Sequence, residues 1–391
     1  MLGAVMLFGV NDAALAQDNL QVRIGYITQQ LPEPLPLSLA VPVLTDNGVM
    51  GARVGREDNA TTGRFLKQDY ELVEIVVPEN GDVRQAFADA LGQGIALFAV
   101  DLPADSLLTL AGEPEAAGAL LFNVRAEDDR LRAETCLPNV FHTAPSRAMK
   151  ADALAQYLVW KRWTRWFLLT GTRPEDVAFA DAMRRAAERF GAEIVEDRPY
   201  TYEAGSRRTD TGHVQVQSQM PVATQNAAEH DVLVVADENE VFGEYVPYRT
   251  WDARPVVGTQ GLFPATWNRN HEQWGGTQMQ SRFESFAKRA MTERDYNAWI
   301  AVRAIGEAVT RTSSADPKAL KAFLLGDQFG LGAFKGQALT FRRWNHQIRE
   351  PILLTTARSL VSVSPQDGFL HQRTPLDTLG YDEPDSTCRL D

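Results

Sequence analysis

Cysteine is nearly absent from this 391-residue chain, which has only Cys136 and Cys388. Neither lies in a C-x-x-C pair or a cluster of metal-ligand spacing, which excludes a dithiol redox centre and a structural zinc knot. Lysine is scarce as well: Lys67, Lys150, Lys161, Lys288, Lys318, Lys321 and Lys335 are the whole set, and every other basic residue is Arg. No block of Lys and Arg occurs and the net charge is -12, so nucleic acid and anionic membrane surfaces are excluded as partners. After the first residues no stretch reaches the roughly 18 uninterrupted apolar residues of a membrane span. The histidines, at 142, 213, 230, 271, 346 and 371, never fall at metal-ligand spacing. Enzyme signatures are also missing: there is no G-x-S-x-G, no H-E-x-x-H, no G-x-x-x-x-G-K-[ST], and no G-x-G-x-x-G at a strand end. The Gly-rich text from Gly330 to Gly336 has the wrong spacing for a phosphate cradle and reads as a turn. Asp237, Glu238 and Glu240 cluster at a predicted helix start, where capping and the helix dipole explain carboxylates without acid/base chemistry. The expectation is a protein that is not an enzyme and needs no metal or cofactor.

What is present is an α/β rhythm. With 44% hydrophobic and 23% charged residues, the chain buries a sizeable core and divides into two domains of ordinary size. Strands are predicted at Val22 to Ile27, Tyr70 to Val77, Ile95 to Val100, Ala119 to Val124, Trp166 to Thr170, Ala192 to Glu196, Asp231 to Val235 and Pro255 to Gly258. Helical patterns lie between them, at Asp82 to Gly92, Arg147 to Lys161, Pro174 to Phe190 and Val214 to Ala228. Such alternation predicts parallel sheets flanked by helices. Four prolines make Thr28 to Leu44 an extended loop. After Trp267 the text turns helical, at His271 to Met291, Asp295 to Arg311 and Pro317 to Gly326, and then strand-like at Ala338 to Phe341 and Pro351 to Val363.

The segment from Asp231 to Trp267 reads as strand, polar turn, helix (Glu240 to Thr250), strand and polar turn. Ligands of open α/β sheets sit at carboxyl ends of strands, so both turns should line a cleft. At the amino end, Leu2 to Val10 is a short apolar run and Ala14-Leu15-Ala16 fits a cleavage site, so residues 1–16 read as the remnant of a secretory signal whose basic region is missing. Export allows Cys136 and Cys388 to pair, pinning the C-terminal tail onto the first half; two separate buried thiols are the alternative.

From Gln21 onward the chain resembles a type I periplasmic substrate-binding protein of the branched-chain amino acid class, which serves ABC importers. The likeness rests on the opening strand VRIGY and on LLFNVRAEDDRLRAETCLPNVFHTAPSRAMKADALAQYL, where members have a ligand loop and then an F-R-T-like strand. It rests also on DVLVVADENEVFG and on VVGTQG, where members have G-x-E-G. The resemblance implies a periplasmic, monomeric protein with two lobes, each a mostly parallel sheet flanked by helices, joined by three hinge crossings. Lobe one would hold residues 20–143 and 262–340, and lobe two residues 144–261 and 341–391. A small molecule would be captured by hinge closure and delivered to a membrane permease.

Departures from the family concern the ligand. Amino-acid binders carry an acid in G-x-E-G for the substrate ammonium, and here Gln260 supplies a neutral amide. Arg125 offers a fork for a carboxylate, with a surface pairing to Asp128 or Asp129 as its alternative. Glu238 would repel an anion unless protonated or paired with an Arg. More narrowly, YRTWDARPVVGTQG, HEQWGGTQMQSRF and DYNAWIAVRAIGEAVTR are similar to the subgroup associated with dehydrogenases that use pyrroloquinoline quinone (PQQ). That likeness implies PQQ, a flat tricarboxylate, as transported ligand. The expected ligand-binding residues are Asp101, Asn123, Arg125 and Asp128 from lobe one, Thr172, Arg173, Glu238, Asn239 and Gln260 from lobe two, and Trp267 as a stacking surface near the hinge. An amino-acid or amide ligand, or a sensing module docking to a periplasmic partner, are the alternatives.

Overall fold

The computed structural model describes residues 19–32, 43–201 and 216–390. The expected signal remnant, most of the Pro-rich loop and the first residues of the predicted 214–228 helix lie outside them. A five-stranded parallel sheet is built from β1 (Leu20–Gln29), β2 (Gln68–Val77), β3 (Leu97–Asp101), β4 (Leu120–Asn123) and β5 (Val140–His142), in the order β2-β1-β3-β4-β5. A second parallel sheet has β6 (Arg165–Gly171), β7 (Glu193–Tyr200), β8 (Val232–Ala236) and β9 (Val256–Gly258), in the order β7-β6-β8-β9. Every residue of β3 and β8 is buried, as expected of strands covered on both faces. Each predicted strand of the two sheets is therefore present, within a few residues of its expected ends. Two three-stranded antiparallel sheets follow, built from β10 (Phe263–Ala265), β11 (Leu331–Gly332), β12 (Ala338–Phe341), β13 (Ile348–Arg349), β14 (Ile352–Thr355) and β15 (Leu360–Ser364) and paired as β10-β14-β15 and β11-β12-β13.

The helices are α1 (Val49–Leu66), α2 (Val83–Gly92), α3 (Ala104–Gly112), α4 (Arg130–Ala133), α5 (Arg147–Trp160), α6 (Pro174–Phe190), α7 (Val216–Thr224), α8 (Val246–Arg249), α9 (Gly276–Ala287), α10 (Glu293–Thr312) and α11 (Pro317–Leu324). They cover both faces of both parallel sheets. On the first sheet, α1, α9 and α10 share a core with Val22, Phe122, Trp267 and Trp299, and α2 and α3 cover the opposite face around Phe98. On the second, α5 and α6 pack with Trp166 and Val234, and α7 with Phe167 and Val235 on the other side. The chain passes between the two main cores three times: between Phe141 and Met149, between Leu262 and Trp267, and between Ile348 and Ile352.

One expected helix is corrected. Residues 240–250 form a clasped loop, a single 3-10 turn (Gly243–Tyr245) and the short α8. The Asp237 carboxylate accepts from the backbone N–H groups of Val241, Phe242 and Gly243 at 2.9, 2.7 and 2.6 Å, which draws the chain into a loop before a helix starts. A disulfide joins Cys136 to Cys388 with Cα atoms 5.7 Å apart, so the tail is pinned beside α4. Among the described residues no helix is long and apolar enough to cross a membrane, and no group of three His, Cys, Asp or Glu could hold a metal ion.

Candidate functional site

Between the two parallel sheets lies a cleft of about 1290 Å³. Its walls are the strand ends and helix starts that face each other across the three passages: the loops after β3 and β4 and the start of α10 on one side, and the loops after β8 and β9 and the start of α6 on the other. Acidic side chains outnumber basic ones along these walls. Which of them carry uncompensated charge decides what the cleft can hold.

The passage from β5 to α5 carries the strongest pairing. Ser146 caps α5 by accepting from Met149 N–H at 3.2 Å, and the helix then presents Arg147 and Lys150 one turn apart. Arg147 grips Glu238 with two hydrogen bonds, 2.8 and 2.7 Å, and lies 3.5 Å from Asp128. Lys150 reaches Glu127 at 2.6 Å and Glu293 at 3.0 Å. Burial works against both cations, but the facing carboxylates outweigh it and raise both pKa values. Burial also pushes the Glu127 carboxyl up to about 7, with Lys150 opposing and Glu293 adding to the rise. Glu293 in turn accepts from Thr266 N–H at 2.7 Å, and Asn297 accepts from Thr143 and Thr266. Lys335 donates to Thr266 O and Pro351 O. All three passages are thus tied to one polar cluster.

The structure places the sequence-predicted residues as follows. Arg125, Asp128, Glu238, Asn239 and Gln260 line the cleft. The Glu238 carboxylate, which on its own would repel an anion, is neutralised by Arg147. Gln260 sits in a turn with Gly258 at φ 112° and Gly261 at φ 76°; a Cβ at Gly258 would come 2.2 Å from Val235 O. Its amide is held within the turn, accepting from the Thr259 hydroxyl and donating to Asp237 O at 3.4 Å. Asn239 donates to Asp176.

Others stand apart from the walls. Asn123 is fully buried and shapes the loop after β4, donating to Ala126 O at 2.8 Å and accepting from the N–H groups of Arg125 and Ala126. Asp101, at the end of β3, is buried beneath the wall; its Oδ2 accepts from the Tyr26 hydroxyl at 2.7 Å. Thr172 and Arg173 are exposed on the turn before α6, where Arg173 donates to Asn239 at 3.2 Å. Trp267 is 2% exposed, stacks on Tyr296 with ring centroids 4.8 Å apart and donates to Gln280. Its expected role as a stacking surface in the cleft is corrected: it is a core residue of the first sheet, because α10 covers it.

Sequence reasoning missed Arg147, Lys150, Glu293 and Arg294, which line the cleft, and Tyr248, which lines it while 84% exposed. Arg147 and Lys150 carried a usable signal, following a capping Ser at the first passage. Arg294 carried none, since it lies far along the chain from every strand end it faces.

Comparison with known proteins bears on this geometry. Residues 81–217 match a family model described as periplasmic binding protein. No curated protein matches the chain. Among solved structures, the chain is similar to an ABC transporter substrate-binding protein from Sphaerobacter thermophilus, with TM-score 0.68 and 15% identity over 88% of this chain and 98% of that one. It is similar to a periplasmic binding protein from Burkholderia mallei, with TM-score 0.65 and 13% identity over 95% and 99%. A leucine-, isoleucine-, valine-, threonine- and alanine-binding protein from Brucella ovis, in a closed conformation, gives TM-score 0.65 and 13% identity over 86% and 89%. The chain therefore has the α/β fold of the type I periplasmic binding proteins, with parallel-sheet lobes flanked by helices.

Proposed function

We propose that this protein is a periplasmic solute-binding protein which closes its lobes on a small molecule and hands it to the permease of an ABC importer. The observation that carries this reading is the cleft itself: about 1290 Å³ of space between two separately cored sheets, walled by strand ends and spanned by three passages. That arrangement lets a ligand bridge the lobes and close them. The function is binding without chemistry, and the similar solved structures are named as binding proteins.

The ligand we propose carries carboxylates, with PQQ as the specific compound. Two observations support it: Arg125 and Arg294 lie together on one wall, and Glu238 is already neutralised by Arg147. With Trp267 in the core, the aromatic face on offer is Tyr248 on the opposite wall. An amino acid is the second reading. It is favoured by the carboxylates Glu175 and Glu244 on the lobe-two wall, which suit an ammonium, and by the binding named for the Brucella ovis protein.

Titration separates the two. The quinone should give a shifted absorption band and saturable Trp quenching at micromolar concentration. Saturable heat with leucine and no response to the quinone would move the assignment to the amino acid, and silence with both would remove the small-molecule reading.

A further inference from the structure

We propose that Glu350 is a proton-operated latch of the hinge: the lobe arrangement of this structure is held while its carboxyl keeps a proton, and loss of that proton releases it. That the lobes move at all rests on the binding function above. Glu350 stands at the middle of the third passage, between Ile348 of one core and Ile352 of the other, and it is fully buried. Among the described residues neither oxygen of its carboxyl has a hydrogen-bond partner. A polar group buried in this way is costly, and an ionised one far more so. The proton is what makes the position tenable.

The surroundings of Glu350 come from more than one passage. Lys335, buried in the turn between β11 and β12, donates to Thr266 O in the second passage and to Pro351 O in the third. Its ammonium lies 5.1 Å over the Tyr296 ring and leaves the Glu350 oxygens without a hydrogen bond. Glu293, at the start of α10, accepts from Thr266 N–H at 2.7 Å and from Lys150 of α5, beyond the first passage, at 3.0 Å. Lys335, Glu293, Lys150 and Tyr296 are the charged and titratable groups that face Glu350, and His271 also faces Lys335. A residue inside one core keeps its neighbours when the lobes turn; a residue between the cores does not.

Ionisation and lobe arrangement are therefore linked. Burial pushes the Glu350 carboxyl up, against the charges of Lys335 and Lys150 and with that of Glu293. An arrangement in which water or Lys335 reaches the carboxylate returns it toward its ordinary range. The present arrangement is then fully favoured below that range and loses ground as pH rises toward the raised value, by up to about tenfold per pH unit. Lys335, pushed down by its own burial, opposes this trend only once it begins to lose its proton.

Small-angle X-ray scattering of the ligand-free full chain, from about pH 5 to about pH 8, reads the lobe arrangement across that window. The wild-type profile should change, and Glu350→Gln, which keeps a neutral group, should stay at the acid form throughout. Lys335→Met removes an opposing cation and should move the change to higher pH; it decides the matter where circular dichroism shows the glutamine variant unfolded. A constant wild-type profile, a change that persists in Glu350→Gln and so belongs to Glu127, or a midpoint that Lys335→Met leaves in place or lowers, overturns the latch. Compaction by the quinone or leucine with no effect of pH on the ligand-free chain would also overturn it and leave the binding function standing. A pH-dependent profile with no response to either compound would overturn the proposed ligands and leave the latch standing.

Discussion

At the scale of single residues, burial decided which side chains of a recognisable type face the cleft. Arg125 was legible because it follows the carboxyl end of a predicted strand. Trp267 satisfied the same rule, two residues past β10, and yet it packs between Tyr296 and His271. Sequence position brings a side chain to a strand end; only the helix covering that end decides which way it turns. Trp267→Ala should therefore cost folding stability, about 3–5 kcal/mol as for other buried Trp truncations. Urea unfolding measures that cost, and a loss below about 1 kcal/mol would place the indole at the surface. Glu238 shows the complementary case. Its carboxylate was readable, but the Arg147 that neutralises it lies 91 positions earlier, where no local pattern links the two.

At the scale of elements, periodic segments were read correctly and close-packed or clasped ones were not. The α1 helix escaped notice because its glycines look like helix breakers. In the structure Gly51, Gly55, Asn59 and Gly63 recur every fourth residue as a buried stripe, and a Cβ at Gly51 would come 1.8 Å from Asp295 O on α10. Gly51 and Gly55 are there for close approach of two helices, a requirement that exists only once α10 is in place, and Gly63 lies against Gln68 and Tyr70 of β2. The opposite error occurred at 240–250, where the text looked helical and the Asp237 clasp prevented it. The α10 helix itself starts on a capping box, with Thr292 accepting from Asp295 N–H at 3.1 Å and Asp295 accepting from Thr292 N–H at 3.0 Å. Thr292→Ala should lower stability by about 1 kcal/mol, the usual value of an N-cap, which equilibrium unfolding would detect. No change at all would mean that the Gly48 N–H and Arg289 hold Asp295 and the helix start without the cap.

At the scale of the molecule, the buried charges near the passages and the tail carry the remaining predictions. The disulfide closes a separation of 252 residues, and loop entropy alone puts its contribution at about 5 kcal/mol. Cys136→Ala with Cys388→Ala should lower the melting temperature by several degrees and free the tail to proteolysis; an unchanged melt would show that tail packing does not depend on the bond. Burial pushes the Glu350 carboxyl up to about 8 against the opposing Lys335 charge, and pushes Lys335 down to about 8. A carboxyl raised in the folded state stabilises it fully below the unfolded value and loses that contribution as pH rises through the folded one. Glu127, near 7, acts in the same direction, so stability should fall as pH climbs from about 4.5 to about 8. Above that, Lys335 reverses the trend. Melts across this window should show the fall, and Glu350→Gln should flatten it; equal slopes in both proteins would mean that Glu350 is ionised throughout. What the sequence determined by itself was the alternation of buried strands and amphipathic helices, and with it the two parallel sheets, because periodicity and β-branched runs are local properties. What only the tertiary structure decided was the chemistry of the cleft: Arg147 against Glu238, and Lys150 between Glu127 and Glu293. Charge compensation depends on distances of a few ångströms between residues that the chain separates by tens to hundreds of positions.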